Sequence, residues 1–150
     1  MLRLTKKVEY GLIALKHISH KSSDNISNAK EIAECTKIPK ELLAKVLQQL
    51  TRNGTIKSVQ GPHGGYVLAR PLHEISLANF ITILEGEYGL VQCASENEDN
   101  CYLVDCCNIR SPLLRINQQL KIFLENITLR EIILEDFELY PITIKELSRV

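Results

Sequence analysis

Apolar residues recur along the first fifty positions with the period of a helix. Leu4, Val8, Leu12, Leu15 and Ile18 fall on one face, which predicts an amphipathic helix near residues 4 to 20, ending before the polar run Lys21-Ser22-Ser23-Asp24-Asn25. Asn28 followed by Glu31 has the spacing of a capping box and opens a short second helix through Ile32 and Ala33. Pro39 suits the first turn of a third helix with Leu42, Leu43, Val46, Leu47 and Leu50 as its buried face, and Asn53-Gly54 supplies left-handed residues to stop it.

The period then changes. Ile56 to Val59 and Tyr66 to Leu68 are short strand-like runs around Gln60-Gly61-Pro62-His63-Gly64-Gly65, so a hairpin with a glycine-rich tip is expected. Ser76 caps a helix carrying Leu77, Phe80, Ile81 and Leu84, which Gly86 terminates. Glu87 to Cys107 has no sustained period. Ser111-Pro112 starts a long helix with an apolar stripe of Ile116, Leu120, Phe123, Leu124 and Ile127, and Thr128 with Glu131 caps a further helical segment up to about Phe137. The expected fold is mainly α with a small β-hairpin wing: a winged helix-turn-helix domain over 1–86, a cysteine-rich sensor loop over 87–110, and a dimerisation helix with a helical tail over 111–150.

Composition narrows the setting. The 150 residues are 45% hydrophobic and 24% charged, ordinary values for one compact domain. No stretch approaches the roughly 18 apolar residues of a membrane span, and no apolar segment of a signal peptide follows Met1, so a cytoplasmic protein without membrane contact is expected. Reduced thiols in that compartment turn the five cysteines away from a disulfide framework and toward metal or redox chemistry.

The formal charge of zero hides a division. Residues 1 to 70 hold 12 Lys or Arg against 5 Asp or Glu, for +7, and residues 71 to 150 hold 6 against 13, for −7. A half drawn to phosphate is joined to a half repelled by it. In a winged helix-turn-helix the third helix enters the major groove and the hairpin tip lies against the backbone or minor groove. Lys40, Lys45 and Gln48 lie off the apolar stripe of the third helix with Glu41 and Ala44 beside them, while Arg52, Lys57, Gln60 and His63 carry the polar surface to the wing. A merely solvated helix face would produce a similar basic stripe.

Three segments, Arg3-Leu4-Thr5-Lys6-Lys7-Val8-Glu9-Tyr10-Gly11-Leu12, Leu50-Thr51-Arg52-Asn53-Gly54 and Ser58-Val59-Gln60-Gly61-Pro62-His63-Gly64-Gly65-Tyr66-Val67-Leu68-Ala69, resemble the Rrf-type winged-helix repressors with their IscR, NsrR, RirA and CymR branches. The resemblance runs over nearly the whole chain and implies a dimeric DNA-binding regulator, a repressor. Two positions depart from the family pattern, which commonly has Arg where Gln60 stands and Gly where His63 stands. Gln60 still donates hydrogen bonds but brings no charge.

Cys93, Cys101, Cys106 and Cys107 occupy 15 residues of an acidic loop. An iron-sulfur cluster, a zinc site and disulfide-switching thiols all account for such a group. Zinc sites usually show two close cysteine pairs, and here only Cys106-Cys107 are near one another. The resemblance implies a [2Fe-2S] or [4Fe-4S] cluster on Cys93, Cys101 and Cys107, whose spacing of seven then five intervening residues is similar to the iron-responsive RirA branch. Cys107 has the Cys-x-x-Arg/His context of the family, which leaves Cys106 as an alternate ligand. The family's fourth ligand is a His just after the third Cys, here Arg110, or an acidic residue from the first helix of the other subunit, which Glu9 matches. Glu9 could equally be a surface carboxylate paired with Lys6 or Lys16. Cys35 reads as a small buried residue of the second helix, although one redox-sensing branch takes a ligand there.

The long apolar stripe is too extended for one small winged helix to cover, so it is expected to pair with its copy, and a twofold dimer implies a palindromic operator in double-stranded DNA. The regulator is expected to sense iron, redox state or nitric oxide through the cluster. The rival within the family is a cluster-free regulator controlled by a partner protein or small molecule. An enzyme is not expected, since no paired acid and base, nucleotide loop or nucleophile triad can be assembled.

Overall fold

The structure, a computed structural model, describes residues 3–21, 26–62, 64–91, 103 and 106–134. The first helix, α1 (Lys6–His20), begins after Thr5, whose Oγ1 accepts from the Val8 N–H at 3.4 Å. Val8, Gly11, Ala14, Leu15 and Ile18 form its buried face. Leu4, expected on that face, is exposed instead, because the extended backbone at Thr5 breaks the helical phase before it.

Helix α2 (Ala29–Thr36) is capped by Asn28, whose side chain accepts from the Glu31 N–H at 2.8 Å. The expected capping box is only half made. The Glu31 carboxylate turns to Lys21 and to His17 at 3.4 Å, and the hydrogen bond from Lys21 holds this carboxyl below its ordinary value. Cys35, expected to be buried, is exposed. Ile32 and Ala33 define the buried face of α2, and at 100° per residue Cys35 lies roughly 110° from its centre.

Pro39 stands just ahead of α3 (Lys40–Arg52) and its carbonyl accepts from the Leu43 N–H at 3.0 Å. Leu43, Val46, Leu47 and Leu50 are buried as expected. Leu42 is not: it is 45% exposed, lying roughly 90° round the helix from the centre of that stripe. At the C-terminus only Gly54 takes a left-handed backbone, φ 68°, while Asn53 stays at −89°.

Strands β1 (Ile56–Val59) and β2 (Gly65–Leu68) pair antiparallel from Ile56 opposite Leu68 to Val59 opposite Gly65. The wing is tied to the start of α2 by a reciprocal bridge, Tyr66 N–H to Ser27 O at 2.9 Å and Ser27 N–H to Tyr66 O at 3.3 Å. Gly65 permits this, because a Cβ there would lie 2.4 Å from the Ser27 carbonyl oxygen.

After a 3-10 turn at Leu72–Glu74, α4 (Leu77–Glu85) is capped by Ser76, which accepts from the Asn79 N–H at 3.1 Å, and stopped by Gly86. The long helix α5 (Arg110–Glu125) starts one residue before Ser111, and Asn117 is its one buried residue. Helix α6 (Leu129–Ile133) has the full capping box of Thr128 and Glu131. It closes at Ile133, shorter than expected, with the Leu134 N–H returning to Arg130 O at 2.9 Å, and Phe137 lies outside the described residues.

Leu129 and Ile133 of α6 enter the same core as Leu15, Leu47, Ile75 and Phe80. Two backbone bonds fix that return, Leu77 N–H to Ile127 O at 2.7 Å and Leu129 N–H to Ile75 O at 2.9 Å. Among the described residues no helix is long and apolar enough to cross a membrane. Gly65→Ala should cost about 1–3 kcal/mol through the forced separation of β2 from Ser27, seen as a lower urea midpoint and faster amide exchange at Tyr66.

Candidate nucleic-acid interface and sensor segment

Burying Leu43, Val46, Leu47 and Leu50 turns the opposite side of α3 to solvent. Glu41, Lys45, Gln48 and Arg52 lie within about 30° of that outward direction, with Ala44 and Lys40 on one flank. All six are exposed. In the hairpin, Lys57 points outward beside buried Ile56, and Gln60 is exposed near the tip, where the Gly64 N–H closes a turn onto Gly61 O at 2.9 Å. His63 lies outside the described residues. The outward side of α3 and the wing therefore form a polar surface on which Lys40, Lys45, Arg52 and Lys57 outnumber the single carboxylate of Glu41, a balance suited to phosphate.

The second grouping lies where the cysteine-rich segment meets α5. Cys106 is exposed in a turn, with its N–H 3.1 Å and its Sγ 3.6 Å from Leu103 O. Cys107 is half-buried and lines a cleft of about 560 Å³ with Arg110, Ser111, Leu114, Arg115 and Gln118. The adjacent thiols thus have different surroundings. Cys93 and Cys101 lie outside the described residues, among which no three His, Cys, Asp or Glu gather closely enough to hold a metal. A soft thiol that shares its cleft with two arginines suits an anionic thiolate-ligated cluster, so Cys107 fits such a group as far as one ligand can. Glu9 is paired within its own helix to Lys6 at 2.5 Å.

Residues 87–91, which lead into the cysteine-rich segment, are fastened to α5. The Leu90 N–H donates to Asn117 Oδ1 at 2.9 Å, and Asn117 is only 6% exposed. One turn on, Lys121 pairs with Glu87 at 3.6 Å and lies 5.7 Å from the centre of the Tyr88 ring. Burial, with Glu125 and Glu87 adding to it, pushes the Tyr88 phenol up.

An adjoining side of α5, centred about 80° from Asn117, carries what a 3.6-residue count misses. Leu113, Ile116, Leu120 and Phe123 alternate in steps of three and four, the heptad spacing of a coiled-coil seam, and Ile109 stands just before the helix in the same register. Ile109, Ile116 and Phe123 are 57%, 50% and 41% exposed. Asn117 also escapes a reading by apolar period; the one signal for it is a polar residue flanked on the helix by apolar ones.

A family model described as "Rrf2: Iron-dependent Transcriptional regulator" matches residues 4–135. The HTH-type transcriptional regulator NsrR of Oceanobacillus iheyensis is 33% identical over 141 residues, 92% of this chain and 94% of that protein. Among solved structures, the global cysteine regulator CymR of B. subtilis superposes with TM-score 0.70 at 26% identity, over 90% of this chain and 98% of its own. T. potens IscR does so with TM-score 0.68 at 25% identity, over 95% and 93%. Replacing Asn117 by Leu should leave the Leu90 N–H unsatisfied and cost about 1–3 kcal/mol, read as a lower urea midpoint with accelerated exchange at the Leu90 amide.

Proposed function

This chain belongs to the Rrf2 family of transcriptional regulators, and we propose that it is a cytoplasmic, homodimeric repressor that reads a palindromic operator and senses iron, redox state or nitric oxide through an iron-sulfur cluster. It is a DNA-binding regulator rather than an enzyme, as its NsrR and CymR relatives are. The observation that carries the sensing reading is the position of Cys107, in a cleft it shares with Arg110 and Arg115 at the head of the helix that bears the exposed heptad stripe.

Each part has a role. The winged helix of residues 1–86 supplies Lys40, Glu41, Ala44, Lys45, Gln48, Arg52, Lys57, Gln60 and His63 to the duplex, with α3 in the major groove and the hairpin beside it. The loop of residues 87–110 supplies Cys93, Cys101 and Cys107, with Cys106 as alternate. Residues 111–150 supply the seam on which two copies pair. When bound, an iron-sulfur cluster supplies a redox- and ligand-sensitive centre. Arg110 and Arg115 offset the charge of its thiolates, and Asn117 and Lys121 pass a displacement of residues 87–91 to α5. Glu9 of the other subunit is the candidate fourth ligand; its pair with Lys6 lies on the surface and gives way readily.

The likeness to CymR favours a second reading, in which no cluster forms and a partner protein or small molecule sets the state. Anaerobic purification decides between them: brown protein with stoichiometric iron and sulfide supports the first, colourless protein the second. Cys107→Ala should then bleach the protein while Cys106→Ala keeps most of the colour, and Glu9→Ala should keep the colour with an altered absorbance spectrum. For the DNA surface, Lys45→Ala or Lys40→Ala should weaken operator binding by about 1–3 kcal/mol where the side chain reaches a base, and lower the salt dependence where it meets a phosphate. Unchanged affinity in both would take α3 out of the interface.

A further inference from the structure

Beside the outward face of α3 lies a groove of about 320 Å³, between α3 and the first turn of α1. Its apolar wall is Tyr10, Leu42 and Val46, and its rim carries Lys6 and Lys7 from α1 and Lys45 from α3. The exposed Leu42, out of place as a core residue, is in place here. Lys45 belongs to both surfaces, so the groove continues the α3 face without a break.

The charges around it are unequal. Lys7 donates to Leu84 O and stays near the end of α4. Lys6 extends to solvent beside Glu9, whose hydrogen bond raises its ammonium above the ordinary value, so it stays charged. Glu85 is held by Thr5 Oγ1 at 2.7 Å. With exposed Arg3 just before, four cationic side chains stand against two carboxylates, one of which is paired with Lys6 itself, so an excess of two positive charges remains at the rim.

We propose that this groove takes the sugar-phosphate backbone of one strand bordering the major groove that α3 occupies. Lys6 and Lys45 contact phosphates, and Leu42 and Tyr10 lie against the deoxyribose. The first helix thereby becomes a second DNA-contacting element. This rests on the reading of α3 as the recognition helix. The occupant is one backbone because the rim is cationic, the wall is apolar on the scale of a sugar, and the groove is continuous with the α3 face.

The test uses the full chain and a short duplex that the protein itself selects from a random-sequence pool. Lys6→Ala should lower the slope of log K against log salt by about 0.9 for each groove engaged. It should also abolish the ethylation interference at the phosphates flanking the α3 contacts. Lys6→Arg should restore both, since it keeps the charge. An unchanged slope and interference pattern in Lys6→Ala, with Lys45→Ala still impaired, would overturn the groove contact and leave the regulator reading standing. A slope lowered by Lys6→Ala with unchanged interference would also overturn it, by assigning Lys6 a diffuse rather than a contacting role. Failure of the unsubstituted protein to select any duplex would overturn both readings.

Discussion

At Gly11 the backbone of α1 comes so close to α4 that a Cβ would lie 2.7 Å from the Phe80 ring and 2.8 Å from a Leu84 methyl. Those two side chains are fully buried, so neither can swing away cheaply. Helix α1 also packs against α2, α3, β2 and α6, and this one approach therefore sets the depth at which the others sit. Moving α1 outward would loosen Val8 and Leu15 together, and with them the seat of Leu43 and Leu47. The aim of the outward face of α3 is a consequence of the core beneath it more than of α3 itself.

The long helix obeys a different constraint. Its single buried residue is polar, and beside the apolar packing of Leu124 on the core it is held by directional contacts: Asn117 on the Leu90 N–H, Lys121 on Glu87 and Tyr88, and the backbone bonds around Ile127 just past its far end. A hydrogen bond weakens steeply with misalignment, whereas an apolar contact tolerates sliding. A small shift of residues 87–91 thus acts on α5 at two points one turn apart, while the bonds at Ile127 keep its end registered to Ser76 and hence to the core.

What could be read from the chain was what is settled locally. Ser76, Gly86 and Thr128 cap or stop helices through bonds to residues within four positions, and each does so in the structure. Leu43, Val46, Leu47 and Leu50 on α3 followed from period alone. Leu42, Leu4 and Cys35 went the other way for physical reasons that residue type does not carry: a stripe centred elsewhere, a cap that breaks the phase, and a short helix that buries only two side chains. The heptad on α5 was hidden because steps of four and three separate from a 3.6 period only over several turns. Of the expected cluster ligands, Cys107 has a described place that suits the part, while Cys93 and Cys101 are joined to it by sequence spacing.

The division of charge bears on pairing as well as on DNA. A second half carrying −7 would be expected to repel its own copy. Yet the one carboxylate that α5 itself carries, Glu125, lies on the side of the helix away from its exposed apolar residues. With Leu113 and Leu120 at one seam position and Ile116 and Phe123 at the other, the flanking positions on the helix are Arg110, Asn117 and Leu124 on one side and Pro112 and Gln119 on the other. In a coiled coil these flanks choose partner and orientation through their charges. Here they are almost neutral, so their charges do not oppose apolar burial along the seam.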